Sequence, residues 1–444
     1  MSVQEPSAVP LGHGAQRQLD MVASLPSSKM DRNDLSSTFL PNMRLPVHGW
    51  FRFSAGFSAE WVANVITSIR STNQEIVLLD PFVGVGTSVL AGEEAGVKSY
   101  GLEAQPFTAR IAQTKLLWNT SVEDFTRFAL SVLHAARRQD QPLPTYPKLI
   151  GQCYPLPVLQ DLHNLKCAWE DMADGDTLSE LTRLALCAIL RVCSPVGTAS
   201  WQYVLPNKAK AKTIPPYEAF ALQCEKMAAD MRGRQERGLT ERGTILLSDA
   251  RECAGIADAT INLVVTSPPY TNNYDYADAT RLEMSFFGDV QGWGDLKKMR
   301  SNLIRSCSQH VSLEKVNLAS MLDALRDTPI HAEVEQVCAQ LAKERLQHGG
   351  KKAYYLMIAA YFADMNRVWK SLRRVCRDGA TICFVVGDSA PYGVYVPVDR
   401  WLGELALAAG FRSFRFEKLR DRNVKWKNRK HQVPLHEGHL WVEG

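Results

Sequence analysis

Short runs rich in apolar residues, each closed by a polar or glycine-bearing turn, alternate along this chain with stretches of helical periodicity. Residues 76–79 form a continuous apolar run that stops at Asp80-Pro81. A run without alternation suits a parallel strand covered on both faces. Residues 88–95 continue as a helix that ends at Gly96, and 98–103 follow as a second strand. This is one strand–helix–strand unit, the opening of a doubly wound sheet. Residues 244–247, 261–265 and 381–386 read as third, fourth and fifth strands, with 411–416 and 439–442 as a closing pair.

Helical spacing is clearest at Trp61, Val62, Val65, Ile66 and Ile69, which share one face. Residues 106–240 read mainly as helix, with apolar stripes over 125–138, 178–192 and 217–232. The chain is helical and charged again over 282–344, and 361–374 is an amphipathic helix stopped by Arg377-Asp378-Gly379. Residues 1–45 are rich in Ser, Pro, Asp and Asn with little periodicity, as in a flexible arm. The expected plan is therefore α/β: a catalytic domain from 46–105 and 241–444, a helical insertion at 106–240, and a second at 271–350. No internal repeat is evident.

Composition narrows this only a little. The chain has 444 residues, 45% hydrophobic and 22% charged, enough for a sizeable core. A net charge of +4 does not by itself announce a nucleic-acid binder, so any basic surface must come from local distribution. The ten cysteines are scattered, and no two stand in a Cys-x-x-Cys spacing, so reduced thiols are expected and no metal site. No basic region followed by an apolar run opens the sequence, and no apolar stretch reaches about 18 residues. A cytoplasmic protein is expected.

Candidate chemistry sits at the strand ends. Asp80-Pro81-Phe82-Val83-Gly84-Val85-Gly86-Thr87 joins the first strand to a helix. Glycines there let a ligand approach the backbone, and helix N-terminal amides face its anionic end. The third glycine of a dinucleotide fingerprint and the Gly-Lys-Ser/Thr of a P-loop are both absent. Glu103 ends the second strand about 20 residues after the glycine turn, a position suited to accepting hydrogen bonds from ribose hydroxyls. Asp249, after the third strand, suits either acceptance from an adenine amino group or an N-cap.

Thr266-Ser267-Pro268-Pro269-Tyr270 follows the fourth strand. Two consecutive prolines stiffen the loop and remove donors, leaving carbonyls to point outward. The Ser267 hydroxyl and the Pro268 carbonyl can both accept from one –NH2 group, drawing its nitrogen lone pair out of conjugation. Tyr270 offers a stacking face worth about 1–3 kcal/mol, comparable to the cost of flipping a base. Strands one and four flank the switch point of such a sheet, so the two motifs would meet.

These residues resemble the bacterial amino-nitrogen (N4-cytosine/N6-adenine) site-specific DNA methyltransferases. The likeness lies in Asp80 to Thr87 and in Thr266 to Tyr270, with residues 48–66, centred on Phe57-Ser58, similar to the family's N-terminal cofactor segment. It covers roughly residues 48–110 and 244–290, plus the closing strands. The resemblance implies a Rossmann-like class I sheet that uses S-adenosyl-L-methionine. Phe57 and Ser58 would bind the cofactor, Asp80, Pro81, Phe82, Gly84, Gly86 and Thr87 would serve its methionine part, Glu103 its ribose and Asp249 its adenine. Ser267, Pro268, Pro269 and Tyr270 would orient the target amino group. Serine at 267, where aspartate is the other common choice, resembles the cytosine-N4 branch. Carbon-5 methylation needs a cysteine nucleophile, usually after proline, and the sequence has no Pro-Cys dipeptide.

The implied substrate is duplex DNA, within a restriction–modification or phage-defence system whose endonuclease or defence subunit would be a partner. Residues 412–431 are dense in basic residues, among them Arg420, Arg422, Lys425, Lys427, Arg429 and Lys430, as phosphate contacts require. Lys208, Lys210 and Lys212 form a smaller run. Either insertion is large enough to read DNA. Adenine-N6 transfer, an RNA or protein substrate, and a non-catalytic DNA-binding subunit stay open as alternatives.

Overall fold

The computed structural model describes residues 38–53, 55–70, 75–199, 203–210, 212–271, 275–311, 317–422 and 433–444. Seven strands share one sheet: β1 (Val77–Asp80), β2 (Lys98–Glu103), β5 (Thr244–Leu247), β6 (Ile261–Thr266), β7 (Cys376–Gly387), β8 (Ser413–Arg422) and β9 (Leu435–Glu443). Two more, β3 (Val196–Thr198) and β4 (Val204–Ala209), form a separate antiparallel ribbon. The sheet order is β5-β2-β1-β6-β7-β9-β8. All pairings are parallel except those of β9, which runs antiparallel between β7 and β8. This is a Rossmann-like methyltransferase sheet. Its connections diverge between β1 and β6, and ligands bind such sheets at the carboxyl ends of those strands.

Alternation along the central strands divides the core between two faces. Leu78, Leu263, Val265 and Cys383 pack with Val62, Ile66 and Ala91, from helices Ala59–Arg70 and Thr87–Glu94. Val77, Leu79, Val264, Ile382 and Phe384 face the other way, onto helices Tyr354–Val375 and Val398–Ala408. Both faces are apolar, which is why β1 and β6 read as unbroken hydrophobic runs.

A third cluster fills the first insertion. Helices Val122–Ala136, Leu156–Met172, Thr177–Cys193 and Pro216–Glu236 contribute Phe125, Leu162, Leu184 and Phe220 to it. Its join to the sheet is charged. Arg234 donates to Glu93 Oε2 at 3.0 Å, with both side chains fully buried.

Three expectations change. Residues 38–45 are packed rather than part of an arm: Phe39 is buried, and the buried Asn42 bonds both Phe57 O and Ala59 N. The remainder of the expected arm, 1–37, lies outside the described residues. The first insertion is not wholly helical, since it carries the β3–β4 ribbon. The second insertion is not one unit. Leu282 and Phe286 join the first insertion's cluster, and Phe286 stacks on Tyr146 with ring centroids 5.7 Å apart. Leu325, Val334 and Leu341 instead join the cluster of helix Tyr354–Val375.

Candidate active site

The carboxyl ends of β1, β2, β5 and β6 open into one shared cleft, lined by both apolar and polar side chains. Its floor depends on Asp80, which is fully buried. Its carboxylate accepts from Phe82 N at 3.0 Å and from the hydroxyls of Ser88 and Thr266. Burial pushes its pKa up to about 6, against these hydrogen bonds. Asp80 therefore ties the turn after β1 to the start of the loop after β6. It does not line the cleft wall, where Pro81, Phe82 and Gly84 stand.

Gly84 and Gly86 have φ of +54° and +95°, which glycine adopts without strain. A Cβ on Gly84 would stand 3.1 Å from the Phe53 ring, itself part of the cleft wall. The Gly84 N–H donates to Glu103 Oε2 at 3.0 Å, and the Gln105 N–H donates to Oε1 at 2.8 Å. Burial nevertheless pushes the Glu103 pKa up to about 7, aided by the nearby Asp80 charge. A ligand offering hydroxyl donors would stabilise that carboxylate.

Asp249 lines the same cleft, and no helix follows it for an N-cap. Its Oδ1 closes a turn by accepting from Arg251 N at 2.8 Å, and the Arg251 guanidinium grips both carboxylate oxygens. Arg251 also pairs with the buried Asp364, so the cleft-side carboxylate is anchored to helix Tyr354–Val375.

Ser267 and Pro269 complete the wall on the β6 side. The Ser267 hydroxyl donates weakly to Val385 O at 3.4 Å, which leaves its lone pairs able to accept. Pro268 is buried, and neither it nor Tyr270 is among the residues that line the cleft. The Tyr270 N–H donates to Tyr276 Oη at 3.3 Å, and its ring carries the Arg422 guanidinium 5.2 Å from its centroid. Burial holds the Tyr270 phenol well above its ordinary pKa.

Several expected residues stand back from the cleft. Phe57 packs edge-on against Trp61 in the sheet core, and Ser58 Oγ accepts from Trp61 N at the start of its helix. Gly86 and Thr87 set the entry of helix Thr87–Glu94. Arg420 and Arg422 are held by Glu437 at 2.9 and 3.8 Å, and Arg422 also donates to Asp388 O at 2.7 Å. Lys425, Lys427, Arg429 and Lys430, with residues 272–274 after the Pro-Pro-Tyr motif, lie outside the described residues. In the smaller basic run, Lys210 Nζ is engaged by Arg191 O at 2.5 Å.

The cleft also has walls that the sequence did not announce, among them Phe53, Gln105 and the stretch 302–304. Phe53 belongs to an aromatic-dense segment, Trp50-Phe51-Arg52-Phe53, and that density was the available signal. Nothing in the spacing marks 302–304, which reach the cleft through tertiary packing. Behind them Asp275, Cys307 and His310 lie within ligand distance of one another, the one such group among the described residues. The group is already bonded internally. Asp275 pairs with Arg300 and accepts from Ala277 N, while His310 Nδ1 lies 2.9 Å from Ile304 O. Burial disfavours a charged His310, but hydrogen bonds to Asp275 and Cys307 outweigh it and push the pKa up to about 10.

A Rossmann-like sheet with an Asp-Pro-Phe-x-Gly-x-Gly turn and a Ser-Pro-Pro-Tyr loop on one cleft defines the methyltransferase class. The chain is similar to the type II methyltransferase M.BsoBI of Geobacillus stearothermophilus, 23% identical over 426 residues that span 87% of this chain and 82% of that protein. It is also similar to the type II methyltransferase M.AvaI of Nostoc sp. (strain PCC 7120), 25% identical over 402 residues, 84% of this chain and 81% of that protein. The resemblance to bacterial site-specific DNA methyltransferases carried by the two motifs thus extends along most of the chain. No family model matches it.

Proposed function

We propose that this chain transfers a methyl group from S-adenosyl-L-methionine to the exocyclic N4 of cytosine in duplex DNA, at a specific sequence, as the modification arm of a restriction–modification or phage-defence system. The observation that carries this reading is the shared cleft. Gly84 and Glu103, from the expected cofactor motifs, and Ser267 and Pro269, from the expected amino-orienting motif, line one cavity although they come from distant parts of the sequence.

The donor set fits the cofactor. Glu103 offers a carboxylate to ribose hydroxyls, Asp249 one to an adenine amino group, and Phe53, Leu102, Leu303 and Ile304 give apolar walls. Gly84 keeps the backbone accessible where a side chain would press on Phe53. Bound there, the cofactor supplies an electrophilic methyl group on sulfur.

The chain's own work is positioning. Ser267 Oγ and the Pro268 carbonyl accept the two N–H bonds of the target amino group. This leaves the nitrogen lone pair free to attack and places it within the cleft. Tyr270 supplies a stacking face for the extruded base. A neutral serine acceptor gives a weaker hydrogen bond than a carboxylate would, so acceleration comes chiefly from orientation. The displaced proton passes to solvent.

Tritium transfer from labelled cofactor to duplex DNA, to RNA and to protein tests this directly. Incorporation into duplex DNA alone is expected. Incorporation into RNA or protein, with none into DNA, would contradict the reading.

A further inference from the structure

We infer that Trp293 is an aromatic platform on which a DNA base at the flipping site stacks, and that helix Trp293–Arg300 belongs to the DNA-reading surface. The inference rests on the proposed function. Trp293 is 62% exposed, and among the described residues Tyr395 is the other aromatic classed with the exposed large hydrophobic side chains. Other tryptophans, including Trp50, Trp118, Trp369 and Trp401, are fully buried.

Two guanidinium groups stand against the Trp293 ring. The Arg281 guanidinium lies 4.3 Å from the ring centroid and that of Arg300 5.8 Å. Both are themselves anchored: Arg281 to Asp278 at 2.9 Å, and Arg300 to the buried Asp275. The ring is thus held by anchored cations while most of its surface faces solvent. Stacking on a nucleobase needs a fixed ring with an open face.

The platform is also coupled to the candidate active site. Asp275 lies five residues after Tyr270, and its N–H donates to Tyr203 Oη at 2.6 Å. Helix Trp293–Arg300 leads directly into Asn302, Leu303 and Ile304 of the cleft wall. Lys297 and Lys298, on the same helix, are exposed and complement phosphate charge. A tryptophan serving only to cover two arginine–aspartate pairs would be replaceable by any large apolar residue. Stacking has the stricter requirement of an aromatic ring.

That difference sets the test. Binding of a fluorescein-labelled plasmid fragment that the wild type methylates would be measured by anisotropy for the wild type, Trp293→Leu and Trp293→Phe. Methyl transfer by the wild type and cofactor affinity of all three would be measured in parallel. Trp293→Leu is expected to weaken duplex binding about tenfold or more, and Trp293→Phe to stay within about threefold of wild type. Cofactor affinity should be unchanged. Wild-type duplex affinity in Trp293→Leu, alongside active wild-type transfer, would overturn the platform and leave the proposed function standing. A wild type that neither binds nor methylates DNA would overturn both.

Discussion

Glu103 is the residue whose environment makes the sharpest chemical demand. Its carboxylate borders the cleft, and burial raises its pKa to about 7, so it is part-protonated near neutrality. Hydroxyl donors from a bound ribose favour the charged form, so the pKa in the complex falls below that of the free protein. Binding then releases a proton. Cofactor affinity should be full above pH 7 and weaken as pH falls below it, by up to about tenfold per unit. Calorimetry across this range checks the sign. Glu103→Gln should bind more weakly at high pH and lose most of the pH dependence, whereas an unchanged profile would point to Asp80, held at about 6, as its source.

Ser267 makes a different demand, on turnover. Ser267→Ala removes one acceptor for the target amino group without touching the floor held by Asp80. Turnover should drop by about tenfold to a thousandfold, with cofactor affinity within about twofold of wild type. Equal loss of both would contradict its orienting role. Both residues were legible in the sequence because each closes a strand at a characteristic motif. Phe57 and Ser58 stand back from the cleft because the resemblance over residues 48–66 marks a segment, not which of its residues reaches the cleft. Phe53 and Ala55, a few positions earlier, are the ones that do.

Among the elements, β1 and β6 were readable from apolar runs because both of their faces are covered. The β3–β4 ribbon was not. It is short, its exposed positions include Asn207 and Lys208, and it lies within a segment dominated by helical stripes. The ion pair joining insertion to sheet was equally invisible, since Arg234 and Glu93 are far apart in the sequence and neither stands in a motif. Glu93 also accepts from Trp118 Nε1 at 2.8 Å and Gly243 N at 2.9 Å, and burial disfavours charge on either partner. Removing one partner leaves the other charged and buried. Arg234→Met should therefore destabilise by about 3–5 kcal/mol in urea denaturation, and the further change Glu93→Gln should recover part of that loss. A single-variant loss under about 1 kcal/mol would show that the junction does not depend on the pair.

At the scale of the whole molecule, the sheet brings the glycine turn after β1 and the Pro-Pro-Tyr loop after β6 to one cleft, as the switch-point rule anticipates. What the rule does not supply is the roof. Residues 302–304 and Tyr276 come from the second insertion, one part of which packs on the first insertion's core and the other behind β7. Those placements depend on packing between distant segments, which leaves no periodic trace in either. The same packing sets Trp293 against Arg300 and turns Arg422 toward Tyr270, where the basic run alone suggested phosphate contact. The account's central claim is chemical, and mass spectrometry of nucleosides from plasmid DNA grown with and without the active gene tests it most directly. N4-methylcytosine that appears with the active gene and is lost in Ser267→Ala is the expected result. N6-methyladenine would overturn the assigned base, and unmodified DNA from cells containing folded, cofactor-binding protein would contradict the account.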